Sequence, residues 1–316
     1  MKKHLKAKIL KEAFVFIVSS SFIFANQVDM NGAVNSNFGN SYGFYDFSEN
    51  ILDLNIFYND LQGWIQYEYS NPPDIGFGNN DIRKFRLEYS TGDFILKLGD
   101  LYEFWGRGLL LNQFDDQVTN FDNGTRGLLI EYDGGALSAS HMNGNSNIWN
   151  MGSDTRIPEY NNTHNMMANR IQYNRGLMSL GLTQLRSNEE HDMNIGPSVL
   201  VSHDLKGGYA TWAGGNADFF LEYVDKISTE KVTMFGAIPN DTLIKGHGYY
   251  QNFNFYLGNW GISTEYKRYA FDRAHGDILA EDYGNQIEYQ QMPTLGKEHN
   301  STLLGRLTHN YNFNDE

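Results

Sequence analysis

Between residues 99 and 133 the sequence runs GDLYEFWGRGLLLNQFDDQVTNFDNGTRGLLIEYD. Four of its carboxylates, Glu103, Asp115, Asp116 and Asp122, lie close in sequence to two guanidiniums, Arg107 and Arg126. No other arginine occurs between Arg86 and Arg156. Where water is scarce such charges must pair, and the planar fork of arginine is the cation best matched to a carboxylate. Two kinds of chemistry follow. The groups can form an ion network that pins the segment, or they can line a constriction that binds a ligand or selects ions. Gly99, Gly106 and Gly108 add a backbone argument, because glycine accepts positive φ and sharp bends that other residues resist. A segment built this way can fold back into a pore.

The elements that would position these residues are strands. In LQGWIQYEY, Leu61, Ile65, Tyr67 and Tyr69 fall on one face, with Gln62, Gln66 and Glu68 on the other. The same period of two recurs at Phe85, Leu87 and Tyr89 against Lys84, Arg86 and Glu88, at Phe94, Leu96 and Leu98 against Lys97, and at Leu128, Ile130 and Tyr132 against Glu131. It returns at Phe219, Leu221 and Tyr223 against Asp218 and Glu222, and at Ile262, Thr264 and Tyr266 against Glu265 and Lys267. Tight-turn residues at Asn59-Asp60, Thr91-Gly92, Asp133-Gly134, Asn174 to Gly176, Gly214-Gly215 and Gly258-Asn259 take turns with longer polar segments. The longer segments cover 39–49, 70–80, 102–125, 143–167, 187–196, 225–245 and 271–283. Short turns on one side and long loops on the other are the habit of an outer-membrane barrel. A soluble sandwich or propeller also alternates, but it must find a partner for every apolar face.

This spacing predicts an all-β, antiparallel up-and-down transmembrane β-barrel with about 15 strands. They are expected near 27–38, 50–58, 61–69, 81–90, 92–101, 126–133, 135–142, 168–174, 177–186, 197–213, 216–224, 246–257, 260–270, 284–291 and 300–312. The first residues carry five lysines before an apolar run from Ala13 to Ala25, so residues 1–25 read as a signal peptide and 26–316 as the barrel. Losing that peptide moves the formal charge of −14 four units further negative. An exported chain so acidic does not suit nucleic acid, whose phosphates need a basic surface. Cysteine is absent, which removes disulfides and thiolate chemistry together.

Gly99-Asp100-Leu101-Tyr102-Glu103-Phe104-Trp105-Gly106-Arg107-Gly108-Leu109, followed by Asp122-Asn123 and Arg126-Gly127, resembles the signature of an uncharacterised family of outer-membrane β-barrel proteins. That family, a domain of unknown function, occurs mainly in Bacteroidota and related Gram-negative bacteria. The resemblance covers roughly 30 residues. It implies a barrel and an address in the Gram-negative outer membrane, and no reaction, ligand or catalytic residue.

Other constellations lead less far. Ser140-His141-Met142-Asn143-Gly144 is similar to the His-x-Ser-Asn-Gly phrase of outer-membrane phospholipases, but Asn143 stands where the serine nucleophile belongs. His164, His191, His203, His247 and His275 lack zinc-helix spacing. Asn120 to Gly124 offers oxygen ligands for a loop-bound Ca²⁺ without matching an EF-hand, and no other cofactor or metal is expected. Tyr42, Phe44, Tyr45 and Phe47 suit sugar stacking or an interfacial girdle.

The expected role is porin-like passage of small polar solutes, with pore-facing acids Glu68, Glu88, Glu131, Asp218, Glu222 and Glu265 favouring cations. The alternative is a non-conducting barrel whose long outer loops serve adhesion or an envelope complex, and third comes an outer-membrane hydrolase. Expected partners are outer-membrane lipid, the barrel-insertion machinery and small solutes or cations. Fifteen alternating strands would leave the last running outward, so the barrel is expected to continue beyond Glu316.

Overall fold

The computed structural model describes residues 28–41, 45–73, 78–116, 121–151, 158–192, 198–233, 241–271 and 299–309. The expected signal peptide and the expected strand at 284–291 lie outside the described residues.

The chain forms two compact units, Met1–Asp74 with Gly78–Thr91, and Ile75–Phe77 with Gly92–Glu316. In the first, β1 (Val28–Ser41), β2 (Tyr45–Tyr58), β3 (Leu61–Ser70) and β4 (Asn80–Thr91) pair in sequence order, each antiparallel to the next. A bulge between Gln66 and Tyr67 shifts the register of the β3–β4 ladder. The second unit begins with β5 (Phe94–Leu101) and then four two-residue strands: β6 (Phe104–Trp105), β7 (Leu111–Asn112), β8 (Asp115–Asp116) and β9 (Phe121–Asp122). The meander resumes with β10 (Thr125–Asp133), β11 (Leu137–Met151), β12 (Pro158–Arg175), β13 (Met178–Asp192) and β14 (Ser198–Gly214). It ends with β15 (Ala217–Thr233), β16 (Asp241–Leu257), β17 (Trp260–Phe271) and β18 (His299–His309). Strand β5 pairs directly with β10, so β6 to β9 stand outside the main ladder as an excursion. Among the described residues the long strands number fourteen, with β17 paired directly to β18.

Turn chemistry fixes the registers. Two-residue turns join β2 to β3, β4 to β5, β12 to β13, β14 to β15 and β16 to β17. Gly92, Gly176, Gly215 and Gly258 take φ of 55° to 58° there, and Asn59 takes 49°. Hairpins that tight demand the left-handed region, which explains the glycines.

Several strands run far past their expected ends. Strand β11 reaches Met151, β12 starts at Pro158, and β15 and β16 extend to Thr233 and back from Asp241. Residues 143–167 and 225–245, expected as loops, are therefore largely paired strand. The physical reason lies in their faces. Above an apolar band both faces can be polar, so period-two alternation disappears while backbone pairing continues.

The two faces are reversed relative to a soluble sheet. Phe94, Leu96, Leu98, Ile171, Leu180 and Leu182 are large, apolar and exposed, while Lys84, Glu68, Glu189, Glu222 and Lys226 are buried on the opposite parity. Apolar groups toward the surroundings and polar groups inward are what a lipid solvent requires, and strands satisfy their backbone groups in lipid through their neighbours. With the up-and-down order, these features make the chain an all-β fold of the transmembrane β-barrel class.

Candidate functional site

Among the described residues, the excursion from Tyr102 to Gly124 is the place where the meander of the second unit departs from its ladder. It begins at a bend. Gly99 has a φ of 117° and pairs with Gly127, which in turn pairs with Gly144. A Cβ on Gly127 would lie 2.0 Å from the Asn143 carbonyl oxygen, so the three strands meet closely at a row of glycines.

Beyond the bend, β6 and β7 form a small hairpin, with Phe104 opposite Asn112 and Trp105 opposite Leu111. Its tip is Gly106-Arg107-Gly108, where both glycines have positive φ and the Gly108 amide donates to the Trp105 carbonyl at 2.8 Å. The hairpin lies on the inward face of the sheet. Trp105, Leu109, Leu110 and Leu111 are essentially fully buried and pack with Leu129, Met142, Met166, Ala168, Leu185, Leu205 and Val224. Full burial of each such side chain stabilises by about 1.5–3 kcal/mol, so the hydrophobic effect holds the excursion down.

Charge then fixes its position. Glu222, from β15, accepts the Arg107 amide at 2.6 Å. A Cβ on Gly106 would sit 2.7 Å from the Glu222 Oε1, so only glycine lets the carboxylate approach. The Arg107 guanidinium lies over the rings of Phe220, at 5.2 Å, and Tyr250, at 5.9 Å. Lys267 covers Tyr250 at 5.6 Å and bonds Glu265 at 2.6 Å.

Glu103 belongs to a second network. Lys97 Nζ stands 3.3 Å from its Oε1 and 3.0 Å from Glu131, and Trp105 Nε1 donates to Glu103 Oε2 at 3.3 Å. Glu131 also faces Arg170 at 3.7 Å, and Arg170 stacks over the Trp105 ring at 5.4 Å. Arg126 belongs to a third. Its Nε and Nη2 clasp Asp100 at 2.9 and 3.0 Å, and its side chain is half exposed. Tyr102 donates to Asp122 at 3.1 Å, and burial with the nearby Asp122 carboxylate raises its phenol well above the ordinary range.

The six charged residues of the motif are thus shared among separate clusters. Arg107 meets Glu222 and two rings, and not the carboxylates that lie near it in sequence. Asp115 pairs in register with Asp122, and Asp116 with Phe121. Asp122 also accepts the Gly124 amide at 2.8 Å, and Asn123 exchanges hydrogen bonds with Phe114 and Asn112. The expected Ca²⁺ ligands that are described are engaged in these bonds, and Asn120 lies outside the described residues.

Of the other expected acids, Glu68 accepts from Ser70 at 2.6 Å and faces Arg83 at 3.7 Å. Glu88 faces Arg86 at 3.9 Å, and Asp218 accepts from Asn254 at 2.7 Å.

Sequence reasoning missed a buried polar line across β12 to β15. Glu189 Oε2 lies 2.8 Å from His203 Nε2, whose Nδ1 is 2.8 Å from Ser228 Oγ, and His164 Nε2 stands 3.7 Å from the same carboxylate. These residues lie on four strands, so only the register unites them: His164 opposite Glu189, and His203 opposite Ser228. The order serine, histidine, carboxylate has the form of a hydrolytic relay, but Ser228 is only 4% exposed, which leaves no room for an acyl group. The line ties neighbouring strands together. No metal-holding group of three or more His, Asp or Glu occurs among the described residues.

A family model described as a family of unknown function, DUF6029, matches residues 37–316. No curated protein matches the sequence. Among solved structures, OmpT of Vibrio cholerae, expressed in the outer membrane, is 13% identical at a TM-score of 0.43, over 82% of this chain and 91% of that one. An anion-selective porin from Comamonas acidovorans is 13% identical at 0.38, over 78% and 90%. OccK2 of Pseudomonas aeruginosa is 12% identical at 0.29, over 90% and 92%.

Proposed function

We propose a porin-like role for this chain, which belongs to the family of unknown function DUF6029: passage of small polar solutes across the Gram-negative outer membrane, with a preference for cations. The observation that carries the proposal is the docked excursion. A hairpin held by Trp105, three leucines and Glu222 against the inward face narrows whatever space that face encloses, and it presents an exposed Arg107 beside Glu222. A narrowed, charge-lined passage selects by size and charge.

The preference for cations is supported by how the inward acids are partnered. Lys97 and Lys267 are engaged by Glu103, Glu131 and Glu265. Asp218 accepts from the neutral amide of Asn254, a bond that leaves the acid's charge uncancelled, whereas Glu222, buried, accepts from the Arg107 backbone amide. Arg107 is the counterweight at the same place, and the strongly negative chain leans the balance toward acid.

The test is conductance of the purified protein in planar bilayers under a potassium chloride gradient. Discrete channels with a reversal potential of the sign for K⁺ over Cl⁻ are expected. Channels that prefer chloride overturn the selectivity. Absence of any conductance favours a non-conducting barrel that acts through its outer surface.

A further inference from the structure

The guanidinium of Arg107 is exposed at the tip of the docked hairpin, packed on rings and open at its edges. It lies over Phe220 at 5.2 Å and Tyr250 at 5.9 Å, and makes no hydrogen bond or ion pair among the described residues. The rings beneath it are themselves held, since Phe220 stacks on Tyr209 at 6.2 Å and meets Tyr250 edge-on at 5.9 Å. Glu222 is buried under the turn and bonded to the backbone amide of residue 107, not to its side chain. An arginine steadied on aromatic rings keeps its planar fork of N–H donors for a carboxylate.

An opposite charge stands on the same face of the same strand. Asp218 lies two residues from Phe220 on β15, half-buried, and accepts from Asn254 at 2.7 Å. It has no cationic partner among the described residues. Lys267 and Glu265, on the neighbouring wall, pair with each other at 2.6 Å. Amides line the interval, with Asn252 opposite Phe220 and Asn254 opposite Asp218 in register, and Asn254 donates to Asn252 at 2.8 Å.

We propose that this strip of the inward face binds a short peptide of two or three residues by its termini, the carboxylate on Arg107 and the ammonium on Asp218. The proposal rests on the porin-like reading above and names a solute class for it. Spacing is the argument. Tyr250 lies opposite Glu222, so an arginine over Phe220 and Tyr250 covers the levels of residues 220 to 222. Asp218 is two to four positions away, roughly 7–13 Å at ~3.3 Å per residue. An extended peptide advances by about 3.3–3.6 Å per residue, so two or three residues carry their end charges across that interval. The charges of a free amino acid share one carbon and do not. A simple anion would meet Asp218 and a simple cation Arg107, whereas a zwitterion finds the opposite charge at both ends. Between the ends, Phe220 offers a ring to an apolar side chain, and the asparagine amides donate and accept as a peptide group requires.

The whole chain, purified in detergent micelles, is titrated calorimetrically with alanyl-leucine, its C-terminal amide, its N-acetyl form and free leucine. The wild type is expected to bind alanyl-leucine and to bind each of the other three about tenfold more weakly, a loss of ~1.4 kcal/mol. Arg107→Gln should weaken alanyl-leucine about tenfold and leave the amide unaffected. Asp218→Asn should do the same to alanyl-leucine and leave the N-acetyl form unaffected. Wild-type protein that binds the capped peptides or leucine as tightly as alanyl-leucine overturns the proposal, and so does a variant that binds alanyl-leucine like the wild type. Binding is read without any current. A chain that binds the peptide but does not conduct keeps this site and loses the porin-like role, and one that conducts without binding it loses the site alone.

Discussion

Gly106 and Arg107 separate two ways a motif can matter. The carboxylate of Glu222 grips the backbone amide at position 107, so that bond survives loss of the arginine side chain. Arg107→Ala removes cation–π contacts worth ~0.5–1 kcal/mol at an exposed site. Gly106→Ala places a Cβ 2.7 Å from Glu222 Oε1 at a φ of 65°. Strain at such a position costs on the order of 1–3 kcal/mol, and displaced Glu222 loses a charge-assisted bond besides. Gly106→Ala should therefore loosen the hairpin more than Arg107→Ala does, read as faster protease cleavage between residues 103 and 113 and as larger single-channel conductance. The reverse order would show that the guanidinium, and not the tight turn, anchors the tip.

At the scale of the element, the excursion behaves as a small hydrophobic core laid on a polar wall. Trp105 is wholly buried, belongs to a cluster whose other members include residues of β5 and of β10 to β15, and lies beneath Arg170. Trp105→Ala is expected to destabilise the docked hairpin by about 3–5 kcal/mol while the main ladder of β5 with β10 stays intact, since that ladder does not pass through the hairpin. Hydrogen exchange should then show protection lost at residues 103–113 and retained at 126–132. Loss of protection in both would mean that β5 and β10 depend on the excursion for their own pairing.

For the whole molecule, the outward side of β13, which runs from Leu180 and Leu182 to Gln184, Arg186 and Asn188, gives an expectation for the depth of the membrane. Leu182 is 70% exposed, and Asn188, further along the same strand, is exposed as well. A tryptophan at Leu182 should be quenched strongly by phospholipid brominated on its acyl chains, and one at Asn188 should not. Quenching of both would place the whole strand length in lipid, contrary to the exposed Arg186 between them.

Period-two alternation and turn residues determined the strands by themselves, because each lipid-facing side chain and each glycine at positive φ answers to its immediate environment. The motif's unusual glycines were legible for the same reason. Alternation was silent where both faces are polar, so the upper parts of β11, β12, β13, β15 and β16 looked like loops. It was also silent about partners. Glu222 lies 115 residues from Arg107, and Arg170 stands 65 residues beyond Trp105, so their meeting depends on the register of every strand between. The same holds for His164, Glu189, His203 and Ser228, ordinary polar residues in sequence that become one buried line. Local chemistry can be read along a chain. Which charge faces which is decided across it, where long-range pairing sets the distance on which every Coulomb and hydrogen-bond energy depends.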